Sequence, residues 1–141
     1  MSAGLLSVLV LDSASAETAA ETVKFDDKGL VLALACDHAS GEILMAAWMN
    51  RQTLVQTLTT GRMTYWSRSR QEVWVKGLTS GHLQDVIGVE LDCDGDALRF
   101  RVRQIGHAAC HTNRPSCFYR SLQGGRWVVI NDPSPEPHRG I

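Results

Sequence analysis

The chain has 141 residues, 44% of them hydrophobic and 21% charged, with 14 Lys and Arg against 15 Asp and Glu for a formal net charge of −1. This length suits one domain with a hydrophobic core, and this composition excludes a chain that is disordered throughout. The balanced charge disfavours a protein that binds nucleic acids or membrane surfaces through its whole surface. It is compatible with binding through a local basic patch. No stretch has the roughly 18 consecutive apolar residues that a membrane-spanning helix needs.

The first 22 residues are rich in Ala, Ser, Thr and Glu and have no sustained period, so we predict an N-terminal arm before a domain that begins at Val23. The apolar run Leu5–Leu11 does not resemble a secretory signal, because no basic residue precedes it and Asp12 interrupts its end. We therefore expect a cytoplasmic protein whose cysteines are metal ligands or free thiols and not disulfides.

The apolar runs Leu30–Cys36 and Ile43–Met49 predict a hairpin, and Asn50 and Gly61 are typical caps of a helix over 51–60. Six further short segments are rich in β-branched or aromatic residues and are separated by Gly, Asp or Pro: Met63–Trp66, Val73–Lys76, Leu83–Leu91, Leu98–Gln104, Phe118–Leu122 and Arg126–Ile130. We predict a mainly β (α+β) domain over residues 23–130 with one helix, followed by a Pro-rich tail over 131–141.

Three carboxylates lie at alternate positions after a predicted strand, at Asp92, Asp94 and Asp96. In an extended chain they share one face and Cys93 points to the other. Converging carboxylates repel one another and favour a hard cation such as Mg²⁺. The alternative is a solvated acidic turn between two antiparallel strands.

Cys110 and Cys117 lie seven positions apart around a loop that contains proline. Thiolates are the soft ligands that zinc prefers, and with Cys93 they make three sulfur donors and leave one tetrahedral position for water. The alternative is that these cysteines pack as small hydrophobic residues. Cys36 lies inside an apolar strand, and we predict that it is a core residue.

A basic segment follows the predicted helix. Strand alternation would place Arg68 and Arg70 on one side, where their guanidinium groups suit phosphate oxygens, and Ser67 and Ser69 on the other. Ser80 and the glycine after it could add further donors. The alternative is an exposed edge strand protected from aggregation by its charges.

Together these segments resemble the phosphoribosyl-AMP cyclohydrolase family of histidine biosynthesis. The matching segments keep the order of the family and extend from about Phe25 to Arg120: Met49-Asn50-Arg51, Tyr65-Trp66-Ser67-Arg68-Ser69-Arg70, Trp74 with Lys76-Gly77, Thr79-Ser80-Gly81 with Gln84, Asp92-Cys93-Asp94, Ala109-Cys110-His111-Thr112 and Ser116-Cys117-Phe118-Tyr119-Arg120.

The resemblance implies a compact two-sheet pseudobarrel or sandwich of short strands in an intertwined homodimer. It implies one zinc ion per subunit, held by Cys93 of one subunit and by Cys110 and Cys117 of its partner. It also implies one magnesium ion per subunit at Asp92, Asp94 and Asp96. The substrate-binding candidates are Trp66, Ser67, Arg68, Ser69, Arg70, Lys76, Thr79 and Ser80.

The activity that the resemblance implies is hydrolytic opening of the C6–N1 bond of 1-(5-phosphoribosyl)-AMP by a zinc-bound hydroxide. The product is a phosphoribosyl-formimino-aminoimidazole carboxamide ribotide. His111 is the first candidate for proton transfer because the pKa range of histidine fits this task, and His82 is the second. Three departures from the common family pattern are Leu78 in place of Glu, Asn113 in place of Gly, and His107 in place of a small residue or Pro.

Two other functions share part of these features. A zinc nucleobase deaminase needs H-x-E and P-C-x-x-C, and neither string occurs in this chain. A zinc-stabilised RNA-binding module would use Tyr65, Trp66 and Trp74 for stacking and Arg68 and Arg70 for phosphates. The net charge and the three Asp residues argue against it, so we expect a small-molecule nucleotide substrate and neither a nucleic-acid nor a membrane partner.

Overall fold

The computed structural model describes residues 7–134, which form two helices and eight strands. In chain order they are α1 (Ser13–Thr22), β1 (Val31–Asp37), β2 (Ile43–Met49), α2 (Arg51–Thr60), β3 (Thr64–Ser67), β4 (Glu72–Val75), β5 (Gln84–Leu91), β6 (Ala97–Gln104), β7 (Arg120–Gln123) and β8 (Arg126–Val129). Residues 1–6 of the predicted arm and 135–141 of the predicted tail lie outside the described residues.

The strands form two sheets, and the prediction of a mainly β fold is confirmed. The larger sheet has six strands in the order β4-β3-β2-β1-β6-β5. Its neighbouring strands are antiparallel except for β1 and β6, which run parallel. Strands β7 and β8 form a separate two-stranded sheet.

The six-stranded sheet curls so that the segment leading into β3 reaches the edge strand β5. The chain before β3 bonds to β5 through Val86 N–H to the Gly61 carbonyl at 2.8 Å and Met63 N–H to the Gln84 carbonyl at 3.0 Å. The core lies inside the curl, where alternate residues of β1 and β6 are buried in keeping with the two-residue period of a strand. Cys36 is 4% exposed, so its prediction as a core residue is confirmed.

Helix α2 has the predicted bounds because both of its ends carry strong local signals. The Asn50 side chain accepts a hydrogen bond from Thr53 N–H at 2.8 Å, and the Thr53 hydroxyl oxygen accepts one from Asn50 N–H at 2.9 Å. Gly61 ends the helix with φ of 75°. Leu54 and Leu58 turn the apolar face of the helix toward the core.

The expectation of a single helix is wrong, because residues within the predicted arm form helix α1. The Asp12 carboxylate caps it by accepting a hydrogen bond from Ser15 N–H at 2.7 Å. Its buried face consists of Ala16 and Ala20, which are 0% and 1% exposed. A buried face made only of alanine produces little hydrophobic periodicity, which explains why the sequence pattern missed this helix.

Residues 7–22 pack on the rest of the domain. Leu11 N–H donates to the Leu58 carbonyl at 2.7 Å, and Arg51 on α2 forms an ion pair with Glu17 on α1 at 2.9 Å. The small side chains of α1 let its backbone lie close to α2. Among the described residues, no helix is both long and apolar enough to cross a membrane.

Candidate active site

The loop between β6 and β7 carries both cysteines of the predicted thiolate cluster. It turns back on itself through Cys110 N–H to the Arg114 carbonyl at 3.1 Å and Asn113 N–H to the Cys110 carbonyl at 3.0 Å. Asn113 has φ of 67°, in the left-handed region that glycine adopts freely and that asparagine tolerates better than most residues. Because both glycine and asparagine adopt this conformation, the position suits the glycine common in the family as well as Asn113.

Hydrogen bonds attach Cys117 and the residue before it to the start of β2. Cys117 N–H donates to the Leu44 carbonyl at 2.7 Å, and the buried Ser116 hydroxyl donates to the Ile43 carbonyl at 2.8 Å. The same hydroxyl accepts a hydrogen bond from Phe118 N–H at 3.0 Å. These bonds hold the loop against the six-stranded sheet and bring Cys117 beside Cys110.

The two thiols share a hydrogen bond and differ in acidity. Burial acts to raise the pKa of Cys110, but hydrogen bonds with Thr112 and with the Cys117 thiol, together with the Arg114 charge, outweigh it and lower that pKa. For Cys117, desolvation of the thiol and the adjacent Cys110 raise the pKa to about 12, against the opposing charge of Lys76. Cys110 is therefore the more acidic thiol of the pair.

A cleft of about 290 Å³ brings His111 next to the turn that follows β4. Lys76, Thr79 and Ser80 of the predicted substrate-binding set line it together with the exposed Leu78 and Trp74 on β4. His111 is exposed to solvent within this cleft. The structure thus places the first-choice proton carrier beside a lysine and two hydroxyl groups.

Gly77 makes the sharp turn that aims Lys76 at this cleft. Its φ is 80°, and a Cβ atom on it would collide with the backbone of His82 and Leu83. Lys76 N–H is anchored to the Met63 carbonyl at 3.0 Å. Close backbone packing therefore determines where this side chain lies.

His82, the second catalytic candidate, does not line the cleft. It is 1% exposed, and its ring packs edge-on against the His107 ring with centroids 4.6 Å apart. A side chain at Gly106 would collide with the His82 ring. The structure places His82 under the turns that frame the cleft, so only His111 reaches it.

The prediction that Arg68 and Arg70 share a strand face is wrong, because β3 ends at Ser67 and residues 68–71 form a turn. The turn is closed by Arg70 N–H, which donates to the Ser67 hydroxyl at 3.2 Å. The Arg68 guanidinium lies 5.3 Å from the centre of the Trp48 ring, and Arg70 lies 3.9 Å from the Glu72 carboxylate. This turn, with Ser69 at its tip and Trp66 just before it, does not line the cleft of His111.

The strand alternation predicted for Asp92, Asp94 and Asp96 is also wrong, since residues 92–96 form the turn between β5 and β6. The Asp92 carboxylate accepts a hydrogen bond from Asp96 N–H at 2.9 Å. Desolvation acts to raise the pKa of Asp92, but backbone N–H donors of the turn outweigh it and lower that pKa. A side-chain hydrogen bond with Asp92 and the charges of Asp92 and Asp94 raise the pKa of Asp96.

A second cleft, of about 510 Å³, lies beside this acidic turn. Asp94 and Asp96 line it together with Trp48 and Phe25, and Arg68 stacks on Trp48. The sequence patterns did not single out either aromatic residue for a site, because Trp48 lies in an apolar run that fits a core and Phe25 belongs to none of the polar clusters. Tertiary packing alone puts them next to the carboxylates.

Cys93 sits exposed on the acidic turn. Within residues 7–134 of one chain, no three His, Cys, Asp or Glu side chains are placed to hold a metal ion together. One chain therefore places Cys110 and Cys117 together and Cys93 apart from them. All four cysteines are free thiols.

Comparison with known proteins settles the family. A family model described as phosphoribosyl-AMP cyclohydrolase matches residues 45–119. Proteins named phosphoribosyl-AMP cyclohydrolase are similar over most of the chain: one from Chromobacterium violaceum is 53% identical over 83% of this chain and 89% of its own length. One from Hyphomonas neptunium is 56% identical over 80% of this chain and 86% of its own length. One from Bordetella parapertussis is 52% identical over 82% of this chain and 89% of its own length. The chain belongs to the phosphoribosyl-AMP cyclohydrolase family.

The resemblance seen in the sequence motifs is therefore confirmed, and so is the prediction of a hydrolase of histidine biosynthesis. This cyclohydrolase carries Leu78, 74% exposed, at the mouth of the cleft that His111 lines. The roles of individual residues in metal and substrate binding stay predictions. The structure gives the positions of these residues in the fold.

We predict that replacing Gly77 with alanine destabilises this cyclohydrolase more than the matched replacement Gly41→Ala. Both glycines have φ near 80°, but the space around Gly41 is open. Gly41→Ala should cost about 1 to 2 kcal/mol for the left-handed conformation. Gly77→Ala should cost about 1 to 3 kcal/mol more, because the backbone of His82 must move. Urea denaturation of both variants measures the difference, and equal losses would show that the turn yields without cost.

Proposed function

We propose that this chain catalyses the hydrolytic opening of the adenine ring of 1-(5-phosphoribosyl)-AMP at the C6–N1 bond. Membership of the family gives the reaction class. The observation that carries the proposal is that His111, next in sequence to Cys110 of the Cys110–Cys117 pair, shares one cleft with Lys76, Thr79 and Ser80. A reactive centre and groups able to move protons and hold anions are thereby placed together.

The thiol pair fits zinc in its chemistry. Cys110 is already the more acidic thiol of the pair, and sulfur donors are those that zinc prefers. Zinc bound there would supply an acidified water molecule as the nucleophile. Cys93 of a second subunit completes the three-thiolate set in this proposal.

A homodimer is the second part of the proposal, because one chain does not bring Cys93 to the other two cysteines. The sheet of β7 and β8 supports it. Large apolar side chains on and next to this sheet are exposed, namely Phe118, Leu122, Trp127, Val129 and Ile130. An isolated two-stranded sheet is marginally stable, so a second copy that covers these side chains would stabilise both the sheet and the nearby Cys117.

His111 is the proposed proton carrier. It lies exposed in the cleft, next in sequence to Cys110 and across from Ser80. In the reaction, water adds to C6, the C6–N1 bond breaks, and N1 gains a proton. The His111 imidazole accepts a proton from the attacking water and returns one to N1, a role for which histidine side chains are suited. Thr79 and Ser80 offer hydroxyl groups that orient the nucleotide.

We assign phosphate binding and magnesium to the second cleft. Asp94 and Asp96 present carboxylates there. The side-chain hydrogen bond with Asp92 and the charges of Asp92 and Asp94 raise the pKa of Asp96, and a divalent cation would relieve the repulsion between these charges. Arg68 and Arg70 lie on the exposed turn after β3 and can approach a phosphate. The free thiols agree with a reducing, cytoplasmic location, which we propose for this enzyme.

The alternative, a zinc-stabilised RNA-binding module, loses one of its three stacking residues in the structure. Tyr65 is 0% exposed and donates its hydroxyl hydrogen to Gln84 at 2.9 Å, so it cannot stack on a base. Mixing the purified protein with phosphoribosyl-AMP tests both functions. Ring opening changes the ultraviolet spectrum of the nucleotide, whereas RNA binding leaves it unaltered.

Replacing Cys110 or Cys117 with serine should abolish both zinc binding and activity, because each removes a thiolate donor. The control Cys36→Ser should keep zinc and activity and cost about 1 to 3 kcal/mol of stability, since it buries a hydroxyl in the core. Zinc content and turnover are measured on the same samples. A Cys110→Ser enzyme with zinc bound and wild-type turnover would contradict the assignment.

Mixed dimers test the shared site. Cys93→Ser and Cys110→Ser subunits should each be inactive alone, while their heterodimer should have one intact site and about half of the wild-type activity per dimer. Differently tagged subunits allow the heterodimer to be isolated and its turnover measured. No activity from a verified heterodimer would refute a site built from both chains.

Asp94→Asn should weaken the dependence of turnover on magnesium without loss of zinc, because it removes one charge from the acidic turn. It should leave the metal-free protein equally or slightly more stable, since repulsion with Asp96 falls. Asp27→Asn, an equal charge change at an exposed turn before β1, is the control. A magnesium titration that is unchanged in the zinc-replete Asp94→Asn enzyme would place the cation elsewhere.

A further inference from the structure

A hydrogen bond between two side chains closes the base of the segment that carries Cys110 and His111. His107 lies before this segment and Asn113 after it, and His107 Nε2 is 2.6 Å from Asn113 Oδ1. The Asn113 amide nitrogen donates to the Ser134 carbonyl at 2.9 Å, so the amide oxygen is the atom that faces His107. His107 therefore donates this hydrogen bond through Nε2. Both residues depart from the common family pattern, and the structure shows that the two departures contact each other.

The His107 ring also packs against the segment that follows the cleft-lining turn. It meets the buried His82 ring edge-on, with the ring centroids 4.6 Å apart. A Cβ atom on Gly106 would collide with the His82 ring, so the chain before His107 lies as close to that ring as it can. His82 N–H donates to the Ser80 hydroxyl at 3.2 Å, and Ser80 lines the cleft with His111. The base of the loop is thereby held against the turn that forms the other side of the cleft.

Asn113 is fixed by the chain that follows β8. Ser134 accepts from the Asn113 amide and also donates its N–H to the Asn113 carbonyl at 2.7 Å. The next loop residue, Arg114, donates from Nε to the Asn131 carbonyl at 2.8 Å. Inside the loop, Asn113 N–H donates to the Cys110 carbonyl at 3.0 Å. A residue held by this many partners gives His107 an acceptor at a definite place.

His111 is exposed, so the place of its ring in the cleft depends on the backbone that carries it. We propose that His107 and Asn113 are positioning residues, and that their hydrogen bond fixes this stretch of backbone so that His111 faces the cleft. The inference rests on the proposed function, which gives His111 its part in the reaction. Displacement of a reacting group by about 1 Å can slow a reaction about a hundredfold. Loss of the hydrogen bond therefore reduces turnover more than it weakens substrate binding, because the hydroxyl groups proposed to orient the nucleotide lie outside the loop.

The test compares kcat and KM for phosphoribosyl-AMP in full-length variants, assayed with zinc and magnesium in excess. His107→Ala and Asn113→Gly break the hydrogen bond from either side, and glycine keeps the positive φ of residue 113. His107→Gln keeps a donor, and His38→Ala, on the turn after β1, is the matched control. In the first two variants kcat should fall about tenfold to a hundredfold, with KM within a factor of about three of wild type. His107→Gln should keep kcat within about threefold of wild type, and His38→Ala should leave it unchanged.

The double variant His107→Ala/Asn113→Gly shows whether the two side chains act as one unit. Each single change already breaks the hydrogen bond, so the double variant should lose about as much kcat as Asn113→Gly alone. Losses that multiply in the double variant would overturn the inference, because each side chain would then act by itself.

Amide hydrogen exchange without substrate gives a readout that is independent of activity. The N–H groups of residues 110 and 113 should exchange faster in His107→Ala and Asn113→Gly than in the wild type, and that of Leu54 in helix α2 should be unchanged. Wild-type kcat in both variants, even with a lower Tm, would overturn the inference, because the hydrogen bond would then only stabilise the fold. An equal loss of kcat in His107→Gln and His107→Ala would also overturn it, since a donor at this place would not be the cause.

Failure of the proposed function has a different result. If the wild-type protein leaves phosphoribosyl-AMP unaltered, or if His111→Ala opens the ring at the wild-type rate, the inference is overturned together with the proposed role of His111. If the wild type opens the ring and requires His111, but loss of the His107–Asn113 hydrogen bond leaves kcat unchanged, the proposed function stands and the inference alone is wrong.

Discussion

Closure of the curled sheet is the constraint on which the site depends. The hydrogen bonds of Gly61 and Met63 with β5 join the segment before β3 to the edge strand at the other side of the six-stranded sheet. They set β4 and the turn after it next to the loop that follows β6, although about thirty residues separate the two segments in sequence. An open sheet would leave Lys76 and His111 at opposite ends of the fold. The cleft between them exists because the sheet curls.

A buried polar network supports the same junction. Tyr65 donates to Gln84, and Gln84 donates to Gln104 at 2.9 Å. Gln104 in turn donates to the carbonyl groups of His82 and Leu83 at 3.1 and 3.2 Å. Each of these groups would be costly to bury alone, so the network is favourable only in one arrangement of β3, β5 and β6. The network therefore holds β3, β5 and β6 in one arrangement beneath the cleft.

Local signals predicted the elements that local interactions stabilise. Helix α2 has both its predicted caps, and the hairpin of β1 and β2 follows from two apolar runs with a glycine turn between them. Strand alternation gave wrong predictions where a strand ended earlier than the sequence pattern indicated. At Arg68 and Asp92, alternation was extended into residues that form turns closed by side-chain hydrogen bonds, as in the Asp92 carboxylate accepting from Asp96 N–H. Helix α1 was missed because its buried face is only alanine.

The sequence by itself determined the family, the mainly β fold class, the residue types of the candidate site and the burial of Cys36, since motif order and hydrophobic pattern are properties of the chain alone. Only the tertiary structure decided that Cys110 and Cys117 lie together without Cys93, that His82 is buried while His111 reaches the cleft, and that Trp48 lines the acidic cleft. The burial of Lys76 belongs to the same group. Contacts between residues far apart in the chain depend on how the sheet closes, and that closure results from the summed packing of many residues and not from any one motif.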